Sequence, residues 1–219
     1  MARGMKIPAV NEKLVRKMLD RYACPLTYHE IRTRFLGSLS TPDAKVSPMG
    51  VIQSLWGGEL PPCDSMDDLN ELLEALVNGL WNPLIRHQKR TEPFRLVKMA
   101  VEPTPEGLVV FTVTRMQELD GFLEGLLNGK VEVDLPEKAA RSMDVLAELR
   151  SLFAGTFDLL KITKDDPDRP DKVEVEKTLS NLQRLTPIME KEIHAVVLDC
   201  TRARRDAIKN GPFGTPTFH

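Results

Sequence analysis

The residues able to do chemistry are few and scattered. Cys24 and His29 lie five positions apart, while Cys63 and Cys200 stand alone. A structural zinc needs about four Cys or His ligands gathered in local pairs, and no second pair accompanies this one. Glu190 and His194 lie one helical turn apart, a spacing that can hold a metal but is more commonly a solvated helix-surface contact. Asp166-x-Asp168 opens as a calcium loop does. Pro170 then stands at the fifth position, Asp171 where glycine is needed, and Lys177 where a bidentate glutamate is needed. Gly125 to Lys130 is one residue short of a phosphate loop, and Val131 replaces its Ser or Thr. No nucleophile elbow or zincin motif occurs. His29 and His87 are the candidate general bases, and neither has an evident partner. The expectation is therefore no catalytic, cofactor-binding or metal-ligating residue, and no cofactor.

Composition narrows the classes further. The chain has 219 residues, 42% hydrophobic and 28% charged, with a net charge of −2. Such a chain can build one large or two small cores, and it has no general attraction for nucleic acid or anionic membranes. No apolar run approaches the roughly 20 residues of a membrane span. The segment MARGMKIPAVNEK lacks the apolar centre of a signal peptide. Three widely spaced cysteines read as free thiols in a reducing cytoplasm.

The elements that would position any site are mainly helical. Asn11 caps a first helix carrying Leu14, Val15, Met18, Leu19 and Tyr22. Thr27-x-x-Glu30 is a capping box for a second, through Phe35, Leu36 and Leu39. Ser47-Pro48 starts a third, which Gly57-Gly58 stops. Ser65, with Asp68 three residues on, opens a stripe of Leu69, Leu72, Leu73, Leu76, Val77, Leu80 and Leu84, and Asn82-Pro83 interrupts it near its end. Phe94 to Val101 and Leu108 to Val113 are rich in β-branched and aromatic residues, with Pro103, Pro105 and Gly107 between them, and residues 94–113 are read as a small β-hairpin. The alternative is an irregular connection, helical from Val109. Arg115 to Asn128 returns to helix, with Gly121 and Gly125 on one face, an arrangement suited to a close helix crossing. Asp134-x-Pro136 opens a long helix to about Lys164. After the polar run 165–172, a helix pattern through Leu179, Leu182 and Leu185 resets at Thr186-Pro187 and continues to about Asn210. The long C-terminal helices should pack antiparallel. The fold class expected is a mainly α multi-helix bundle. Its divisions are a helical domain over 1–130, a long-helix region over 131–210 packed on it, and a tail over 211–219.

Several of these residues form a recurring pattern: Phe35-Leu36-Gly37-Ser38-Leu39, Pro42, Val46-Ser47-Pro48, Leu55-Trp56-Gly57-Gly58 and Glu59-Leu60-Pro61, then Gly121-Phe122-Leu123-Glu124-Gly125. Over about residues 26 to 128 the chain resembles the YecA/YgfB-like family of uncharacterised bacterial proteins. The resemblance implies a nearly all-α domain without an assigned reaction. It departs at Met49-Gly50 and in a longer segment around 103–111. It also lacks the Cys-rich zinc tail of many relatives, so nothing read by that tail carries over.

The leading expectation of function is a non-enzymatic, cytoplasmic protein-interaction module. Its partner would be an unknown protein or a second copy, met through Gly121 and Gly125, through the C-terminal helix pair or through the basic cluster Arg202, Arg204 and Arg205. The first alternative is a DNA-binding regulator with a winged-helix-like N-terminal half. It is disfavoured because Ser47 to Trp56, the would-be reading helix, has no Arg or Lys. The second alternative is a metal-assisted hydrolase.

Overall fold

A computed structural model describes residues 10–42, 46–162 and 172–210. The centre of the molecule is α2 (Tyr28–Ser40), buried on nearly all sides, as a helix enclosed by others must be. It lies against α5 (Pro105–Leu127). Glu30 faces Gly121 and Arg34 faces Gly125, so the two helices run parallel. Their backbones nearly touch. A Cβ on Gly125 would fall 1.9 Å from the Arg34 carbonyl oxygen, one on Gly121 2.4 Å from that of Glu30, and one on Gly37 2.2 Å from that of Phe122. The close crossing expected from the glycine spacing is thus made inside the chain.

Parallel neighbours cannot be joined by a tight turn, and the segment between them forms the rest of the N-terminal half. Helix α1 (Glu12–Arg21) is capped by Asn11 Oδ1, which accepts from Leu14 N at 3.3 Å, and it buries Val15, Met18 and Leu19. The expected start and stop signals hold at α3 (Pro48–Ser54), with Pro48 first in the helix and Gly57 and Gly58 at φ +84° and +113°. They hold also at α4 (Met66–Leu76), where Ser65 Oγ accepts from Asp68 N at 3.1 Å. The helix after α4 widens to a π turn over Val77–Trp81 before Pro83. Proline has no N–H to offer the Gly79 carbonyl four residues back. That carbonyl instead accepts from Asn11 N at 2.9 Å, tying the start of α1 to the distortion. A single helical turn, Asn82–Leu84, and a 3-10 turn, Ile85–Gln88, complete this stretch.

The β-hairpin expected over 94–113 does not form, and no strand occurs among the described residues. Residues 94–104 are an extended strap without a strand partner. Thr104 caps α5, its Oγ1 accepting from Gly107 N at 3.0 Å, and Pro105 is the first helical residue. The Thr-Pro that looked like a turn is therefore a helix start. The β-branched run Val109 to Val113 is helical because Leu108, Phe111 and Thr112 are buried in the bundle, and packing overrides propensity.

Two long helices close the bundle, α6 (Glu137–Ile162) and α7 (Lys172–Asn210). Ser142 Oγ donates to Glu192 at 2.7 Å, while Thr156 and Leu160 lie beside Val175 and Thr178, so they run antiparallel as expected. The expected reset at Pro187 is absent, and α7 is continuous through it. Contacts on both sides hold it, with Val175, Leu179 and Leu182 buried before the proline and Met189, Ile193, Val196 and Val197 after it. The C-terminal half of α7 lies across α2 and the 85–88 turn, so one core runs from Val15 to Cys200. The calcium-like Asp166-x-Asp168, the polar run and the 211–219 tail fall outside the described residues.

Gly125→Ala should destabilise the protein by about 2–3 kcal/mol, because the added methyl meets a rigid backbone carbonyl. The urea midpoint measures this; a shift worth less than about 0.5 kcal/mol would contradict the close crossing.

Candidate functional site

The residues singled out in the sequence do not converge. Gly121 and Gly125 are buried under α2, so the face suggested for a second copy is already covered by the chain itself. Arg204 is half-buried, its Nη1 donating to the Thr41 carbonyl at 3.3 Å, and Arg202 pairs with Asp199 at 3.3 Å. Arg205 is exposed. Glu190 is not a free ligand beside His194: its carboxylate accepts from Leu96 N at 2.9 Å and from Arg95 Nη1 at 2.6 Å. His29 Nε2 lies 3.0 Å from Thr27 Oγ1 and 2.8 Å from Gln117 Oε1. His87 Nδ1 donates to the Glu92 carbonyl at 2.8 Å. Cys24, Cys63 and Cys200 are free thiols, and burial pushes Cys200 up to about 12. Among the described residues no three Cys, His, Asp or Glu side chains gather as a metal site.

What the structure does assemble lies along the strap. Phe94 and Leu96 point into the core, and the backbone between helices is held by side chains in place of a neighbouring strand. Val97 N donates to Glu118 Oε1 at 2.9 Å, and the Val97 carbonyl accepts from Arg115 Nη2 at 3.0 Å. Arg115 and Glu118 also pair directly, fully buried, on successive turns of α5. Burial pushes the Glu118 carboxyl up, while Arg115 and the Val97 N–H oppose that rise. The signal was present in the sequence. Phe111, Arg115, Glu118 and Phe122 follow at steps of four, three and four, which places two charges on a core stripe.

Between the strap, α1 and α2 opens a cleft of about 580 Å³, lined by Glu12, Arg16, Tyr28, His29, Arg32 and Lys98 with Val10, Leu96 and Met99. Arg16 pairs with Glu12 at 2.8 Å and stacks over the Tyr28 ring at 4.2 Å. Arg32 stacks over Phe94 at 4.3 Å. Burial lowers its pKa from the ordinary arginine value, against the fields of Tyr28, Glu118, Glu12 and Glu190. Those carboxylates are engaged elsewhere: Glu118 by Arg115, Glu190 by Arg95 and Glu12 by Arg16. Among the described residues no hydrogen bond or ion pair reaches the Arg32 guanidinium. Nothing in the local pattern singles out Arg32, since Glu30, Arg32 and Arg34 together look like a solvated face.

Comparison with family models, with curated proteins and with solved structures returns no match. The chemistry available in the cleft is cationic and hydrogen-bond donating.

Two outcomes follow. Glu118→Ala should cost about 3–5 kcal/mol, because it strands a buried guanidinium, and it should expose the strap to trypsin at Arg95 and Lys98. Arg115→Met with Glu118→Leu should recover much of the loss; a single variant as stable as wild type would refute the fastening. Burial also depresses the pKa of His87 and His194 below the ordinary 6.5. The unfolded chain then takes protons first, so their contribution is complete above the ordinary histidine value and is lost as pH falls through the depressed ones. Denaturation between about pH 7.5 and about pH 5 should show that decline, and His194→Leu should flatten it.

Proposed function

We propose that the protein is a non-enzymatic helical interaction module acting in the cytoplasm, whose protein partner engages the cleft between α1, α2 and the strap. The observation that carries this reading is Arg32, a half-buried cation on the cleft wall that no hydrogen bond or ion pair reaches among the described residues. A partner that brings an anion would supply the direct pairing that the described fold leaves out. The cleft's ionisable groups also favour binding over catalysis. His29 is tied to the neutral amide of Gln117 and to a threonine hydroxyl, so among the described residues no carboxylate orients it as a general base.

Placement among YecA/YgfB-like proteins is proposed on the same footing. Its support is that Gly37, Gly121 and Gly125 occupy the helix crossing and Gly57-Gly58 the left-handed turn, the positions for which such a motif would need glycine. DNA binding gains no support, because α3 turns Val51 and Ile52 into the core and offers no cation.

Affinity capture from the producing cell tests the reading with full-length wild type, Arg32→Glu and Lys98→Glu. The partner should be retained by wild type and lost from both variants, at unchanged helical content. A partner set indifferent to both reversals would overturn it.

A further inference from the structure

We infer that the cleft is a phosphate-monoester site, taking a phosphorylated side chain of the partner. This rests on the cleft being the binding surface, and it adds the chemistry of what is bound.

Charge decides the class of ligand. Three ion pairs surround the cleft and cancel: Arg16 with Glu12, Arg115 with Glu118, and Arg95 with Glu190. Arg32 and Lys98 remain, and among the described residues no acidic group pairs with either. Two uncompensated cations match the charge of a phosphate monoester, about −1.5 to −2 near neutrality. A carboxylate carries one charge and would leave a cation unpaired.

The donors fit as well. The ring of Phe94 covers one face of the Arg32 guanidinium, so its N–H edges remain for in-plane bonds to a planar or tetrahedral oxyanion. Tyr28 is only 5% exposed, yet its hydroxyl finds no hydrogen-bond partner among the described residues. Tyr28 lines the same cleft as Arg32. Burial holds the phenol protonated, and therefore a donor, at neutral pH. Val10, Leu96 and Met99 offer an apolar wall for the stem that carries the phosphate.

The test is a thermal melt of the full chain at constant ionic strength with phenyl phosphate, inorganic phosphate or benzoate. Saturating phenyl phosphate should raise the melting temperature by about 5–10 °C, and it should bind more tightly than inorganic phosphate. Benzoate should have little effect. Lys98→Ala, at an exposed position, should weaken phenyl phosphate binding about tenfold. Arg32→Met should abolish the response and melt no lower than wild type without ligand, since no ion pair is lost and the apolar stem can keep its place on Phe94. A benzoate response equal to that of phenyl phosphate would overturn the assignment. So would tighter binding of inorganic phosphate, no response at all, or an Arg32→Met protein that melts lower and still responds. If phosphate fails while capture still depends on Arg32, the partner surface stands and only the phosphate falls; if both fail, both fall.

Discussion

Backbone-to-backbone contact between α2 and α5 is the constraint on which the structure depends. Three glycines remove the side chains that would otherwise hold these helices about 8–10 Å apart, and carbonyl oxygens occupy the vacated space. The contact fixes direction as well as distance. Once the helices are parallel, the chain between them must travel the length of α2 in reverse. It does so through α3, α4, the π turn and finally the strap. The cleft exists because that return path passes beside α1 and α2 without pairing to another strand.

Carboxylates on helices take over the role of a neighbouring strand. Glu190 and Glu118 accept from the successive strap amides of Leu96 and Val97, and Arg115 donates to the Val97 carbonyl that follows. The arrangement brings buried charge to a place where a sheet would have had none. A buried pair is weak evidence for net stability, because desolvation offsets much of its attraction. Its value here is positional: it sets which strap residues face the core and which face the cleft. Leu96 is buried and Lys98, two residues on, is exposed, so the two-residue alternation of a strand is interrupted at Val97.

Legibility in the sequence followed the range of the interaction. Caps, glycine stops and leucine stripes are local, and they located α1 to α4 and the end of α5 to within a few residues. The glycine face announced a close crossing but not its partner, because Gly37 on α2 is distant in sequence. The β-branched and aromatic content of 94–101 suggested a hairpin that does not form, since the groups that satisfy the strap amides come from helical glutamates. Pro187 looked like a break because its effect on the backbone is local, whereas the contacts that carry α7 past it are not. Arg115 and Glu118 were readable as charges on a core stripe. Arg32 was not, since only the assembled fold shows that every nearby carboxylate is already taken.

The helix pair at the centre also sets an order of events for a nascent chain. Residues that meet at the crossing are separated by roughly ninety positions, so closing it carries a loop entropy that most helical proteins avoid. During synthesis α2 leaves the ribosome long before α5 exists, with its glycine seam and apolar sides uncovered. Helix and turn can form early, but the seam stays open until more than half the chain has been made. For an all-helical protein, this topology implies slow assembly and a window in which chaperones can act.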